Sequence, residues 1–292
     1  MNSLPLPPMN HLHRFHQVDV FTAEPLRGNP LAVVHDAQGL NDVQMADFAR
    51  WTNLSETTFL LPPTQPGADY RVRIFTPGGE LPFAGHPTLG SCHAWLAAGG
   101  VPRQADEVVQ QCGVGLVRVR RQGNRLAFAA PPTRVESVES ALLVQVCAAL
   151  GLQAGQVKAA AWLTNGPRQL ALEVDSAETV LQLQPDHVAL KQLCDVGVVG
   201  PYLSGSRSGG CDVEVRFFVP LHGVPEDPVT GSFNANLARW MMADGRLPRR
   251  YVASQGTKLG RAGRVILHDD GQTLWVGGDV VSLVQGTVQL SA

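Results

Sequence analysis

The hexapeptide VRIFTP at residues 72–77 recurs as VRFFVP at residues 215–220, a displacement of 143 residues (215 − 72 = 143). A second pair follows in the same order, because PFAGH at residues 82–86 is matched by PVTGS at residues 228–232, displaced by 146 residues (228 − 82 = 146). In both places a strand-like run precedes a glycine turn. This pattern predicts two copies of one structural unit.

A third echo supports the same interpretation. The segment VRVRRQGNRLAF at residues 117–128 resembles RVILHDDGQTLWV at residues 264–276, and it aligns Gly123 with Gly271 at a displacement of 148 residues (271 − 123 = 148). Three pairs of similar segments in one order, displaced by about half of the 292-residue chain, indicate a duplicated domain. The alternation around each central glycine predicts a β-hairpin in each copy.

The length of the chain agrees with a duplication, since 292 residues suit two domains of roughly 150 residues each. We place the boundary near Pro131-Pro132, where the first hairpin ends. The predicted units are an N-terminal domain over residues 13–131, a C-terminal domain over residues 132–280, and a last strand over residues 281–292 that returns to the first domain.

The first copy is predicted to be a strand followed by a helix. Residues 70–75 alternate like a strand, and a helix follows Gly85, with Pro87 in its first turn and Gly99-Gly100 at its end. The predicted buried stripe of this helix consists of Leu89, Cys92 and Leu96.

The second copy repeats this order. Residues 213–219 form the predicted strand, and Ser232 opens a helix that stops near Gly245. The apolar positions on one face of this helix are Phe233, Leu237, Trp240 and Met241.

Two further helices are predicted outside the repeats. Residues 41–52 carry Met45, Phe48 and Trp51 on one face, and residues 140–150 form the other helix. Because strands outnumber helices and hairpins are common, we predict an α+β fold, with each half a largely antiparallel sheet around a central helix.

Composition limits the class of partner. With 44% hydrophobic and 16% charged residues the chain is typical of a compact globule. A net charge of −2 and a pI near 6.5 give no electrostatic reason to expect nucleic acid or an anionic membrane. No apolar run reaches 18 residues, so no membrane span is expected. The expected partner is a small molecule.

The start of the chain and the cysteines point to the cytoplasm. The first residues, MNSLPLPPMNHLHRFH, lack the apolar core and the cleavage pattern of a signal peptide. Five scattered cysteines argue against a disulfide framework or a zinc cluster. A metal site of His11, His13 and His16 is conceivable, but a polar leader entering a strand is the better interpretation.

Both glycine turns lead into a helix N-terminus, where several backbone N–H groups have no acceptor within the helix. Such an end binds an anion. Two of them facing each other would hold a small carboxylic acid and stabilise the charge that develops when a neighbouring C–H proton is removed. For one copy alone, a well-capped helix without a ligand is an equal alternative.

Several polar side chains lie at these turns, and each has two interpretations. His86 and Ser232 each follow the turn glycine, and Asp227 precedes Pro228 beside Glu226. All three are candidates for the site. Alternatively, His86 is a cap or a satisfied core histidine, Ser232 is an N-cap, and Asp227 is a surface carboxylate.

Glu56 is the only charged residue between Arg50 and Asp69. In an apolar cleft its pKa would be raised toward a range that suits both taking and giving a proton. In a solvated loop it would have no such role. Periodicity alone leaves both interpretations open.

Five motifs together resemble one known family. They are VDVFTAEPLRGNPLAVV (18–34), NLSETTFL (53–60), RIFTPGGELPFAGHPTLG (73–90), DPVTGS (227–232) and QGTKLGR (255–261). In this order they are similar to the PhzF family of phenazine-biosynthesis-like proteins, which are relatives of diaminopimelate epimerase and proline racemase. The resemblance covers essentially the whole chain after residue 13.

The resemblance implies a two-domain fold of the diaminopimelate epimerase type, with the active site between the domains. It further implies a homodimer that uses no metal and no organic cofactor. The phenazine enzyme isomerises trans-2,3-dihydro-3-hydroxyanthranilate by moving a proton from C3 to C1. By resemblance, Glu56 moves that proton, and His86, Asp227 and Ser232 line the substrate site. We expect Glu56, Asp227 and His86 to be the catalytic residues and the following to bind the substrate: Ser232, Gly85, Gly231 and Pro87.

The sequence departs from the racemases of this fold, which place one cysteine at each turn. Here the first place is Ala84, and we place the second near Pro228. Without the two thiols, a single-carboxyl proton shuttle by Glu56 is favoured over racemisation. Two alternatives remain, namely a binding protein without catalysis, or an epimerase or hydrolase-like enzyme with Asp227 as base.

Overall fold

The structure, a computed structural model, describes residues 12–123, 125–153, 155–203, 208–222 and 224–290. His11, considered above as a metal ligand, therefore lies outside the described residues. The elements of the first half are β1 (Leu12–Val20), β2 (Asn29–Val34), α1 (Asp42–Thr52), β3 (Thr57–Leu61), β4 (Tyr70–Thr76), β5 (Gly79–Leu81), α2 (Gly85–Ala97), β6 (Glu107–Cys112), β7 (Gly115–Gln122) and β8 (Arg125–Ala129).

The second half repeats these elements after a short strand and an additional helix. Its elements are β9 (Arg134–Glu136), α3 (Ser140–Leu150), β10 (Val157–Thr164), β11 (Arg168–Val174), α4 (Ala177–Gln182), α5 (His187–Leu190), β12 (Val196–Pro201), β13 (Val213–Val219), β14 (Val224–Asp227), α6 (Gly231–Ala243), β15 (Arg250–Gln255), β16 (Gly263–Asp269) and β17 (Leu274–Gln289).

The two halves share one pattern of strand pairing. In the first half, β2 with β3 and β4 with β6 are parallel pairs, whereas β1–β2, β3–β4, β6–β7 and β7–β8 are antiparallel. In the second half, β11 with β12 and β13 with β15 are parallel, and β10–β11, β12–β13, β15–β16 and β16–β17 are antiparallel. This confirms the predicted α+β fold with two similar, mostly antiparallel halves.

Strands near the end of each half pair with the other half. Strand β17 pairs with β8 over Trp275–Asp279 and then with β1 over Val280–Gln289. Strand β9 pairs with β10 within the second half. All seventeen strands in the described residues thus belong to one hydrogen-bonded sheet. The domain boundary near Pro131 and Pro132 stays a prediction.

Helices α2 and α6 are the central helices of the two halves. Helix α2 is buried on all sides from Gly85 to Cys92, so more of its surface is buried than the predicted stripe of three residues. Of that stripe, Leu96 is only half-buried. Helix α6 buries its predicted apolar face except for the half-buried Trp240. On α1, Met45 and Phe48 are buried, but Trp51 is 80% exposed and stacks on Phe48.

An ion pair is also duplicated. Arg73 on β4 donates two hydrogen bonds to Glu80 on β5, and Arg216 on β13 does the same to Glu226 on β14. Each guanidinium also lies over the phenylalanine two residues ahead, at 5.0 Å in the first half and 4.8 Å in the second. The pair of the second half is almost fully buried, whereas Glu80 is 43% exposed.

Candidate active site

The N-termini of α2 and α6 meet. A methyl group built on Gly85 would lie 3.3 Å from the Cα of Gly231, and one built on Gly231 would lie 3.4 Å from the Cα of Gly85 and from the backbone nitrogen of His86. Only residues without a side chain allow two helix ends to approach so closely. The two predicted glycine turns are therefore brought together, with unpaired N–H groups of both helices at one place.

Aromatic rings lie directly behind both turns. The ring of Phe128 would be 2.8 Å from a methyl group on Gly85, and the ring of Phe21 would be 3.1 Å from one on Gly231. Phe21 is fully buried and has a φ of 65°, a conformation that is rare for a bulky side chain. The helix ends thus lie against apolar rings, which keeps the dielectric low where an anion would bind.

Glu56 lies directly before β3, and its side chain is only 15% exposed. Its Oε2 atom lies 3.4 Å from Nδ1 of His86, the second residue of α2, whose side chain is 5% exposed. Glu56 Oε2 and His86 Nε2 are buried atoms without a hydrogen-bond partner. The interpretations of Glu56 as a solvated loop glutamate and of His86 as a satisfied core histidine are therefore wrong.

Burial shifts the proton affinities of both groups. Desolvation, together with the smaller effect of the Asp227 charge, raises the pKa of Glu56 to about 8. Desolvation lowers the pKa of His86 to about 3, against the opposing effect of the Pro30 carbonyl. At neutral pH Glu56 is therefore mostly protonated and His86 is neutral, so their contact is not an ion pair.

Asp227, the last residue of β14, carries the negative charge that contributes to the raised pKa of Glu56. Its Oδ1 accepts a hydrogen bond from Asn29 Nδ2 at 3.1 Å, and its Oδ2 accepts one from the Thr230 hydroxyl at 2.6 Å. Desolvation raises the pKa of Asp227 to about 6, and these two hydrogen bonds limit the rise. The interpretation of Asp227 as a surface carboxylate is wrong, because the residue is not exposed and its carboxylate is desolvated.

Ser232 is the second residue of α6, as His86 is of α2. Its Oγ accepts a hydrogen bond from Gln169 Nε2 at 3.3 Å, and its carbonyl accepts one from Asn165 Nδ2 at 2.9 Å. The alternative that Ser232 is merely the N-cap is wrong, since the N-cap of α6 is Thr230. Pro87 is buried in the first turn of α2, as predicted.

The structure also corrects the position that corresponds to the second catalytic cysteine of the racemases, which we placed near Pro228. The N-cap of α2 is Ala84, and the equivalent N-cap of α6 is Thr230 rather than a residue near Pro228, because β14 extends to Asp227 before the chain turns. Neither position carries a thiol. Cys92 lies in the buried interior of α2, where desolvation raises its pKa.

Two loops, residues 22–28 of the first half and residues 256–262 of the second, meet beside the Pro228 turn that leads into α6, at one rim of the site. Arg27 donates from Nη1 to the Gly260 carbonyl at 2.7 Å, and its own carbonyl accepts from the Ala262 N–H at 2.6 Å. Arg261 Nη1 donates to the Leu26 carbonyl at 3.1 Å. These hydrogen bonds join the two halves at this rim.

The described residues offer neither a metal-binding cluster nor a membrane-spanning helix. Across the described ranges, no three His, Cys, Asp or Glu side chains are grouped so that they could hold a metal ion. None of the helices in the part of the chain that the structure describes has the length and apolar character required to cross a membrane.

Sequence reasoning missed the polar residues that hold Asp227. Asn29 lies in the GNP segment, Thr230 in DPVTGS, and Gln255 begins QGTKLGR. These motifs carry the family resemblance but do not indicate a role for any of the three side chains. All three are buried and form hydrogen bonds at this carboxylate or its backbone. A buried amide beside a buried carboxylate leaves no signal in a single sequence.

The raised pKa of Glu56 predicts a pH-dependent stability. The folded-state pKa of about 8 lies above the ordinary value of 4.5, so the free energy of unfolding falls as pH rises from about 4.5 through 8. One pKa unit corresponds to about 1.4 kcal/mol. We therefore expect the free energy of unfolding of the wild type to fall by several kcal/mol over this pH range, and that of Glu56→Gln to stay nearly constant. Urea unfolding at pH 5, 7 and 9 measures this. The exposed Glu178→Gln is the control, and an unchanged pH dependence in Glu56→Gln would contradict the burial.

Known proteins resemble this chain over nearly its whole length. The family model described as phenazine biosynthesis-like protein matches residues 18–286. Antisense-enhancing sequence 1 of Schizosaccharomyces pombe is 37% identical over 260 residues, which cover 85% of this chain and 88% of that protein. The trans-2,3-dihydro-3-hydroxyanthranilate isomerase of Pseudomonas aeruginosa is 34% identical over 279 residues, which cover 94% and 95% of the two chains.

Solved structures share the fold. A PhzF family protein of Enterococcus faecalis superposes with a TM-score of 0.79 at 25% identity, covering 96% of this chain and all of that chain (100%). A hydroxyproline epimerase of Agrobacterium vitis superposes with a TM-score of 0.64 at 13% identity, covering 98% and 95% of the two chains, which shows a shared fold only. The chain belongs to the phenazine biosynthesis-like family, and it is an isomerase of the PhzF type.

Proposed function

We propose that this isomerase moves a proton between two carbons of a small carboxylic acid, with Glu56 as the single general acid and base. The observation that carries the proposal is the buried Glu56 carboxyl beside His86 and Asp227, at the meeting point of two helix N-termini. A substrate like trans-2,3-dihydro-3-hydroxyanthranilate, on which the Pseudomonas aeruginosa relative acts by name, fits this arrangement of charges.

The reaction begins with ionised Glu56. Its carboxylate takes the proton from an acidic C–H group, and the electrons of that bond enter the conjugated system of the substrate. The carboxyl proton of Glu56 exchanges in part with solvent at this stage, and Glu56 then gives a proton to a different carbon, for which the family resemblance implies C3 as donor and C1 as acceptor. No atom is gained or lost, so the step is an isomerisation.

The other residues bind and orient the substrate. N–H groups at the start of α2 and α6, after Gly85 and Gly231, with the Ser232 hydroxyl, hold the substrate carboxylate. His86 and the ionised Asp227 orient its amino or hydroxyl group. The loops at the rim, together with closure of the two halves, exclude water and strengthen these interactions.

The pH dependence of the rate follows from the pKa of Glu56. Because the ionised carboxylate starts the reaction, kcat/KM in free enzyme rises with pH and levels off above the Glu56 pKa of about 8. Initial rates between pH 5 and 10 measure the profile. A rate that falls as pH rises from 6 to 8 would mean that the protonated form of Glu56 starts the reaction.

The proposed activity is tested with purified protein and trans-2,3-dihydro-3-hydroxyanthranilate, followed by absorbance and product chromatography. Turnover supports the proposal for this substrate. If the protein leaves this compound unchanged, the substrate is rejected, and other unsaturated or cyclic small carboxylic acids are screened for the same proton shift.

We also propose that the enzyme is a cytoplasmic homodimer. The family resemblance supports the homodimer, and the five scattered cysteines, which form no CxxC pair, support the reducing compartment. Analytical ultracentrifugation gives the mass of the species in solution, and a species of the monomer mass, 31.3 kDa, would overturn the dimer.

A further inference from the structure

We infer that Gln255 is a positioning residue of the active site, whose side-chain amide fixes the direction of the Thr230 hydroxyl so that this hydroxyl holds the Asp227 carboxylate. Gln255 is the last residue of β15 and is fully buried. The inference deepens the proposed function, because it concerns the charge of Asp227 beside Glu56.

The side-chain amide of Gln255 uses its full hydrogen-bonding capacity. Its Oε1 accepts from the backbone N–H of Thr230 at 3.0 Å and from Asn234 Nδ2 at 2.8 Å. Its Nε2 donates to the Asp227 carbonyl at 3.2 Å and to the Thr230 hydroxyl at 3.0 Å. A primary amide has two donors and two main acceptor sites, so this one is satisfied on both sides.

Two backbone groups decide which end of this amide is oxygen and which is nitrogen. The Thr230 N–H can only donate, so Oε1 must face it, and the Asp227 carbonyl can only accept, so Nε2 must face that group. A flipped amide would place two donors together and two acceptors together. The orientation of Gln255 is therefore determined by the chain itself.

The fixed amide in turn determines where the Thr230 hydroxyl proton points. Because Nε2 of Gln255 is a donor only, Thr230 Oγ1 acts as the acceptor in that contact. Its single proton is then free for the 2.6 Å hydrogen bond to Oδ2 of Asp227. A donor held toward a carboxylate favours its ionised form and fixes its plane.

The charged surroundings of Asp227 make this donor important. In the described residues, the ionisable groups near its carboxylate are Glu56 and Glu226, and Glu226 is paired with Arg216. Burial and Glu226 raise the pKa of Asp227, whereas Thr230 and Asn29 lower it. The charge of Asp227 raises the pKa of Glu56 in turn. Through Thr230, Gln255 therefore affects the proton affinity of both carboxyls.

The test uses one variant of Gln255, two of Thr230 and one matched control. Gln255→Met keeps the length of the side chain but removes its donors, Thr230→Val removes the hydroxyl, and Thr230→Ser keeps it. The control is Gln110→Met, because Gln110 is also a fully buried strand glutamine that donates to a helix threonine, Thr88, but that threonine does not contact Asp227.

The readout is the pKa of Asp227, measured by ¹³C NMR of labelled carboxyl groups and assigned with Asp227→Asn. We expect a rise of about one unit in Gln255→Met and in Thr230→Val, since each removes one oriented donor. The two effects are not additive in the double variant. Thr230→Ser and Gln110→Met leave the pKa where it is in the wild type.

An unchanged Asp227 pKa in a folded Gln255→Met protein would overturn the inference, and so would an equal rise in Gln110→Met. If Gln255→Met does not fold, the test compares the pKa of Asp227 in Thr230→Val with that in Thr230→Ser. Equal Asp227 pKa values in these two variants would overturn the inference. The measurement needs no substrate, so a failure to turn over any acid tested would reject the proposed function and not this role.

Discussion

Replacement of Glu56 by glutamine lowers kcat by about 10³-fold, the usual contribution of a well-placed general acid or base. Binding of the substrate remains close to that of the wild type, because at neutral pH Glu56 is mostly protonated and a glutamine side chain has nearly the same shape and no charge. Steady-state rates and isothermal titration calorimetry measure the two quantities.

The same variant separates the rival reactions on this fold. If Asp227 were the base of a hydrolase-like or epimerase reaction, Glu56→Gln would keep most of the activity and Asp227→Asn would remove it. The structure gives a reason against that role, since both Asp227 oxygens already accept hydrogen bonds from Asn29 and Thr230. Glu56 has a buried carboxyl oxygen without such a partner.

The second large effect concerns stability. Glu226→Gln leaves the Arg216 guanidinium buried without its full ionic partner, and we expect the free energy of unfolding to fall by about 3 kcal/mol or more. The duplication provides the control, because Glu80→Gln breaks the equivalent, partly exposed pair of Arg73 and costs about 1 kcal/mol or less. Urea unfolding of both variants gives the comparison, and equal losses would contradict the role assigned to burial.

The repeated strands, the two hairpins and the central helices were predictable, because they rest on local patterns that the sequence repeats. The similarity of VRIFTP and VRFFVP predicted β4 and β13, and the glycine turns predicted the starts of α2 and α6 to within one residue. The helix predicted over residues 140–150, which ends at Gly151, has the bounds of α3. These features depend on neighbours a few positions apart, which a single sequence displays.

What could not be predicted depends on distant neighbours. Asn29 and Asp227 are 198 positions apart in sequence, yet their side chains form a hydrogen bond. The sequence shows the arginine and glutamate of both ion pairs but does not show that only the second pair is buried. Trp51 lies on the same helix face as Phe48 and is exposed, since no element of the described chain covers it.

The candidate site was predictable only in part. Each turn taken alone was equally compatible with a capped helix, and the duplication together with the family resemblance favoured a site. The contact of Gly85 with Gly231 and the 3.4 Å approach of Glu56 to His86 are properties of the folded chain. The pKa of Glu56 likewise depends on burial, which periodicity around NLSETTFL could not decide.

Proton transfer by Glu56 is tested most directly by incubating the enzyme with trans-2,3-dihydro-3-hydroxyanthranilate in D₂O and locating deuterium by NMR. The glutamate mechanism predicts deuterium at the carbon that receives the proton with the wild-type enzyme, and only background incorporation with Glu56→Gln. Equal incorporation by the two proteins would contradict the assignment of Glu56 as the group that moves the proton.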